Sequence, residues 1–195
     1  MLRSMSKNPL NGRRGLNVGH AWVRVSGWKD GERVVVEGGH TGEWGGDEPR
    51  YAVGVMEGLE KGEDNPIRYL WKELHDGGFQ EGNGGHRATY AAKVELSEEQ
   101  FLKVLNFMSV NHYDYRRYAL TRNQCSSFVR QLAILAGLDL EDKVHVKIPQ
   151  FMKWGRKRYQ LWSEPKYSEI TFSSPDELER SLIGLVKKGR IMRYQ

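Results

Sequence analysis

TRNQCSSFVRQLAILAGL, residues 121–138, decides how the rest of the chain is read. It holds the only cysteine, Cys125, at the first turn of a segment whose spacing predicts a helix. Phe128, Val129, Leu132, Ala133, Leu135 and Ala136 recur at helical intervals. Gly137 is the expected left-handed stop. Asn123 is the expected N-cap, because its short amide accepts from the free N–H groups of a first turn. A thiol there lies at the positive end of the helix dipole, which favours the thiolate. The competing reading is structural. Positions 125, 128, 129, 132 and 136 share one helix face, and a lone cysteine on it is a small apolar core residue.

What separates these readings lies upstream. GHAWVRVS (19–26) alternates, with Ala21, Val23 and Val25 facing one way and His20, Trp22 and Arg24 the other, so it reads as a strand. Asp30-Gly31 is a hairpin signal, and a second strand follows over 33–37. His20 opens the first strand and His40 lies just past the second. In an antiparallel pair these ends adjoin, with a bulge at Gly38-Gly39 taking up any slack.

The 195 residues make one domain of ordinary size with a real core. No run of 18 apolar residues is present, and the N-terminus lacks the apolar region of a secretory signal. One cysteine excludes an internal disulfide and CxxC zinc sites, and no HExxH pair is present. The formal charge of +5 and pI near 9.3 suit an anionic partner. The basic aromatic stretch KWGRKRYQLW (153–162) reads first as a solvated face with its aromatics turned inward, and second as a surface for such a partner.

Residues 1–18 read as a loose arm. Residues 41–85 read as a glycine-rich, loop-rich insertion holding one short helix candidate, 66–74. A strand over 86–95 precedes a helix opened by the capping box Ser97/Gln100. A tyrosine-rich linker leads to the cysteine helix. Residues 151–195 read as a basic C-terminal extension ending in a helix that Ser174 and Pro175 begin.

QCSSFV (124–129) resembles the nucleophile motif of NlpC-type cysteine peptidases, in which a Cys-Ser pair opens the central helix. GHAWVRV (19–25) resembles that superfamily's histidine strand. Here the histidine precedes the cysteine. That order resembles the circularly permuted branch, which includes the lecithin–retinol acyltransferase-like enzymes and their bacterial relatives. The resemblance covers roughly residues 19–138. It implies an α+β, circularly permuted papain-like domain over 19–150, with an antiparallel sheet packed on the helix that carries the cysteine. It implies Cys125 as nucleophile, His20 as general base and acid, and His40 as the orienting group, with no cofactor and no metal. Tyr115 or Tyr118 corresponds to the tyrosine lining such sites.

The expected activity is thiol-dependent cleavage of an amide bond, in a peptide or a peptidoglycan cross-bridge, through an acyl-enzyme. An effector or toxin exported without a classical signal is one setting, and a cytoplasmic hydrolase is another. A lipid-directed acyltransferase or thioesterase with the same triad is the alternative. The absent membrane anchor, and Gln124 standing between Asn123 and Cys125, weigh against it. The third reading is a non-catalytic basic binding module. His86 is the rival for either histidine position. His145 ranks below it, and His75 and His112 read as solvated.

Overall fold

The computed structural model describes residues 2–5, 19–42 and 51–194. In chain order they form β1 (Leu2–Met5), β2 (His20–Lys29), β3 (Glu32–Thr41), α1 (Tyr51–Glu60), a 3-10 turn (Pro66–Trp71), β4 (Glu73–Leu74), β5 (Gly78–Glu81), β6 (Tyr90–Lys93) and α2 (Glu98–Met108). Then come β7 (Tyr118–Ala119), α3 (Cys125–Leu135), β8 (Lys143–Lys147), β9 (Phe151–Trp154), β10 (Lys157–Gln160), β11 (Glu169–Ser173), α4 (Pro175–Lys187) and β12 (Met192–Tyr194). The fold is mixed α and β. Its main sheet has six strands in the order β12-β6-β1-β2-β3-β5, every pair antiparallel. Three two-stranded pairs, β9–β10, β8–β11 and β4–β7, lie beside it.

The β2–β3 hairpin turns at Asp30 and Gly31, with φ of +51° and +80°. Two successive left-handed residues match the twist of the flanking strands, and Asp-Gly supplies them at least strain. Ala21, Val23 and Val25 enter the main core, where they meet Phe101 and Val104 of α2, Cys125, Phe128 and Leu132 of α3, and Leu178 and Leu182 of α4. Both N-caps read from sequence are present: Ser97 and Gln100 form a reciprocal capping box on α2, and Ser174 accepts from the Asp176 N–H on α4. Gly137, at φ +76°, follows α3.

Several readings differ from the structure; the strand read over 86–95 is confined to Tyr90–Lys93, and the helix candidate at 66–74 is the 3-10 turn Pro66–Trp71 followed by β4. Leu2–Met5, read as part of a loose arm, is a strand between β2 and β6. A terminal segment becomes ordered when a sheet offers partners on both sides, which no local pattern reveals. Residues 6–18 lie outside the described residues.

Within the segment read as loop, residues 51–60 are helical. Gly54 and Gly58 disguise this helix, because glycine disfavours helix interiors. Here they serve close packing. A Cβ on Gly54 would stand 2.6 Å from the Tyr69 ring, and one on Gly58 2.9 Å from Pro66.

Residues 151–195, read as a basic C-terminal extension, contribute to both cores. Leu161 and Ile170 share a second small core with Leu59, Ile67 and Ile148, while α4 packs on the main core and β12 edges the main sheet. Trp71 packs against that second core as a satellite residue; Trp44 lies outside the described residues. Among the described residues no helix is long and apolar enough to cross a membrane.

Candidate active site

Cys125 is the first residue of α3, and the cap before it is Gln124 rather than Asn123. Gln124 Oε1 accepts from the Ser126 N–H at 2.9 Å. The Gln124 N–H donates to Ser127 Oγ at 2.8 Å, closing a reciprocal pair. The Gln124 amide also donates to the Ser173 carbonyl, tying the start of α3 to β11. Sequence reading passed over Gln124 because short side chains are the usual caps. Ser127, three positions on, was the available signal. Asn123 acts one step earlier. It exchanges backbone hydrogen bonds with Ala119, at 2.7 and 2.9 Å, and its side chain donates to the Arg117 carbonyl. These bonds tether the turn that delivers Cys125.

Cys125 is only 6% exposed. Its sulfur donates to Gln124 Oε1 at 3.2 Å and lies 3.9 Å from Ser126 Oγ. Burial pushes the thiol pKa up. The Ala21 backbone N–H, the Ser126 hydroxyl and the helix-start N–H groups pull it down, but burial prevails. The helix tip does favour the anion, yet removing the sulfur from water outweighs it.

His20 sits one peptide before the Ala21 N–H that reaches the sulfur. Its ring stacks beside Trp22 at 5.9 Å between centroids and tilts against His86 at 5.2 Å. It is 8% exposed, and neither ring nitrogen has a hydrogen bond among the described residues. Burial first, then His86 and His40, hold its pKa at about 4. Side chains alternate along a strand, so the ring lies toward Trp22 while Ala21 faces the core that holds Cys125. No hydrogen bond joins Cys125 to any histidine among the described residues.

His40 is enclosed completely. Nε2 lies 2.9 Å from the Tyr115 carbonyl and Nδ1 2.9 Å from the Tyr113 hydroxyl. Tyr113, Tyr115 and Tyr118 meet its ring edge-on, with centroids 5.3, 5.7 and 5.2 Å away. Only glycine fits at position 77, where a Cβ would collide with the Tyr115 carbonyl and press on His40 Nε2. The orienting role expected of His40 toward His20 has no hydrogen bond behind it, because both ring nitrogens are engaged elsewhere.

A carbonyl only accepts, so Nε2 carries a proton and Nδ1 of the neutral ring accepts from Tyr113. Tyr113 Oη also lies 2.5 Å from Asn123 Oδ1. One hydroxyl proton thus faces two acceptors. Burial lowers the His40 pKa to about 4, against the Tyr115 carbonyl and Asp114, which raise it. Tyr113, whose own pKa is pushed up by burial, is the functional candidate that sequence reading missed. Its signal was weak: one tyrosine among several in the linker.

The remaining histidines are placed apart. His86 lies against His20. His145, on β8, contacts Thr171 Oγ1 at 2.7 Å and Glu169 at 3.1 Å and is exposed. His75 and His112 are exposed. No group of three or more metal-ligating side chains occurs among the described residues. The basic aromatic stretch is the β9–β10 hairpin, with Trp154 exposed at its tip and Arg158 lying 3.9 Å over the Phe151 ring.

Chemically, the site offers a buried thiol at a helix tip, an imidazole that adjoins in sequence the residue whose N–H reaches the sulfur and has no hydrogen bond among the described residues, and a second imidazole bound into a tyrosine–asparagine network. Compared with protein-family models, with curated proteins and with solved structures, the chain matches none.

Proposed function

We propose that this chain is a thiol-dependent hydrolase with a circularly permuted papain-like arrangement. It cleaves an amide bond, in a peptide or a peptidoglycan cross-bridge, through an acyl-enzyme on Cys125. The observation that carries this reading is the start of α3. The only cysteine opens the helix and its sulfur lies against the Ala21 N–H, next in sequence to His20, whose ring has no hydrogen bond among the described residues.

The resting pair is a neutral thiol and a neutral imidazole, because burial raises the one pKa and lowers the other. Catalysis then follows the general-base route rather than starting from an ion pair. Sγ forms a bond to the scissile carbonyl carbon as its proton passes to His20, whose ring must move from the Trp22 face of β2 to the Ala21 face to receive it. The first-turn N–H of Cys125 donates to the developing oxyanion. His20 returns the proton to the leaving amine as the C–N bond breaks. Water, giving a proton to His20, then attacks the thioester and frees the acid and the thiol. His40 takes no proton in this scheme. With Tyr113 and Asn123 it holds the turn that presents Cys125.

The test is incubation with cross-bridge peptides and peptide p-nitroanilides, followed by intact-mass measurement. A wild-type adduct with the mass of the acyl group, absent in Cys125→Ala together with all turnover, is expected. Equal turnover by Cys125→Ala would remove the nucleophile from this reading.

A further inference from the structure

The positive charge of the chain is gathered in one stretch. Residues 143–163 hold six basic side chains and no acidic one. Without those six, twenty-four Lys and Arg stand against twenty-five Asp and Glu, so the net charge of +5 resides there. Two of the six lie on β8. Lys143 Nζ donates to Ser173 Oγ at 2.8 Å, and Lys147 sits across from Glu169. The other four, Lys153, Arg156, Lys157 and Arg158, are exposed on the β9–β10 hairpin, and none has an ion pair among the described residues.

The hairpin is fixed at its base and exposed at its tip. Met152 and Tyr159 pack against the second core, and the Leu161 N–H donates to the Gln150 carbonyl at 2.8 Å. Gly155, at φ +61°, makes the turn, and Trp154 beside it is 57% exposed. Trp154 pairs with Lys157, and Lys153 with Arg158. The second pair stands one residue, about 3.4 Å, behind the first. Long basic side chains span that step. An end-on approach therefore brings four cations and one indole to a single plane.

That arrangement selects among anionic partners. A bilayer of anionic lipid offers a plane of phosphates to the cations and, just beneath it, the interfacial layer into which tryptophan partitions. A single nucleic-acid strand is instead held in a groove with successive stacking rings. Here the tip is convex. Arg158 covers the Phe151 ring at 3.9 Å, and Tyr159 and Trp162 pack against the second core, which leaves Trp154 as the ring on offer.

We propose that the β9–β10 hairpin is a peripheral anchor for an anionic membrane surface. Trp154 enters the headgroup layer, and Lys153, Arg156, Lys157 and Arg158 meet lipid phosphates. This proposal does not depend on the chemistry at Cys125.

The test sediments the full chain with extruded vesicles of phosphatidylcholine, alone or mixed equally with phosphatidylglycerol. Each basic residue at an anionic surface strengthens partitioning by about fivefold, so the mixed vesicles should bind about a hundredfold or more tightly than the neutral ones. Arg156→Glu combined with Lys157→Glu should weaken that binding by at least about twenty-fivefold. The charge-matched control, Lys187→Glu with Lys188→Glu at the end of α4, should stay within about threefold, because salt screens charges remote from the surface. Brominated acyl chains should quench tryptophan emission in the wild type and not in Trp154→Phe. No binding to the mixed vesicles, equal binding to neutral ones, an equal loss in the control, or quenching that persists in Trp154→Phe would overturn the proposal. So would tighter binding of a single-stranded oligonucleotide through the same residues, which would make nucleic acid the occupant.

Discussion

His20 and His40 belong to the two strands of one hairpin, and both are withdrawn from water with pKa values near 4. Their surroundings differ in one respect that matters. His40 has both ring nitrogens bonded and three tyrosine edges around its ring, whereas His20 has ring neighbours and no hydrogen bond among the described residues. A base needs a free lone pair, while a structural histidine needs partners. Burial alone does not distinguish the two roles; the hydrogen-bond inventory does.

The largest test separates chemistry from stability. His20→Ala should lower kcat/KM by about a thousandfold while costing only about 1 kcal/mol of stability, because it removes the proton acceptor and no hydrogen bond. His40→Ala should do the reverse. It should cost about 3 kcal/mol in urea unfolding, through a lost ring and orphaned partners, and leave acylation of Cys125 within about tenfold. An exchange of those outcomes between the two variants would make His40 the base and break the comparison.

Acid should then resolve the pair further. Both folded-state pKa values lie below the ordinary 6.5, so the unfolded chain binds protons that the folded chain refuses. The resulting stability is complete above about pH 6.5 and is lost as pH falls toward about 4, by at most roughly 3 kcal/mol per histidine. Protonating His40 also supplies the proton its network lacks, so that residue should contribute less of the loss. Urea midpoints between pH 4 and 7 should flatten more in His20→Ala than in His40→Ala. The smallest effect is expected for Tyr113→Phe, about 1 kcal/mol, because the lost hydroxyl had one proton for two acceptors. A loss several times larger would mean that Tyr113, rather than His40, anchors the turn before Cys125.

Much of the architecture was legible because its causes are local. The Asp30-Gly31 turn, the Ser97/Gln100 box, the Ser174 cap and the apolar face of α3 each involve residues a few positions apart. The helix at 51–60 was illegible for the opposite reason. Gly54 and Gly58 look like loop residues until Tyr69 and Pro66 are seen against them. The site divides in the same way. That a cysteine would open a helix was readable from its neighbours. That Gln124 would cap it depended also on the Ser173 carbonyl, 49 residues away. That Tyr113 would bind His40 joined residues 73 apart in the chain.

The amino-acid order by itself determined the helix that begins at Cys125, the hairpin that carries His20 and His40, and the excess of positive charge, because periodicity, turn chemistry and composition act over short spans. Only the tertiary structure decided how protons and solvent meet those groups. Burial depends on what packs from elsewhere in the chain, and here it turned a thiol favoured as an anion by its helix into one held as a neutral group. It also bound His40 through both ring nitrogens and left His20 with no hydrogen bond among the described residues.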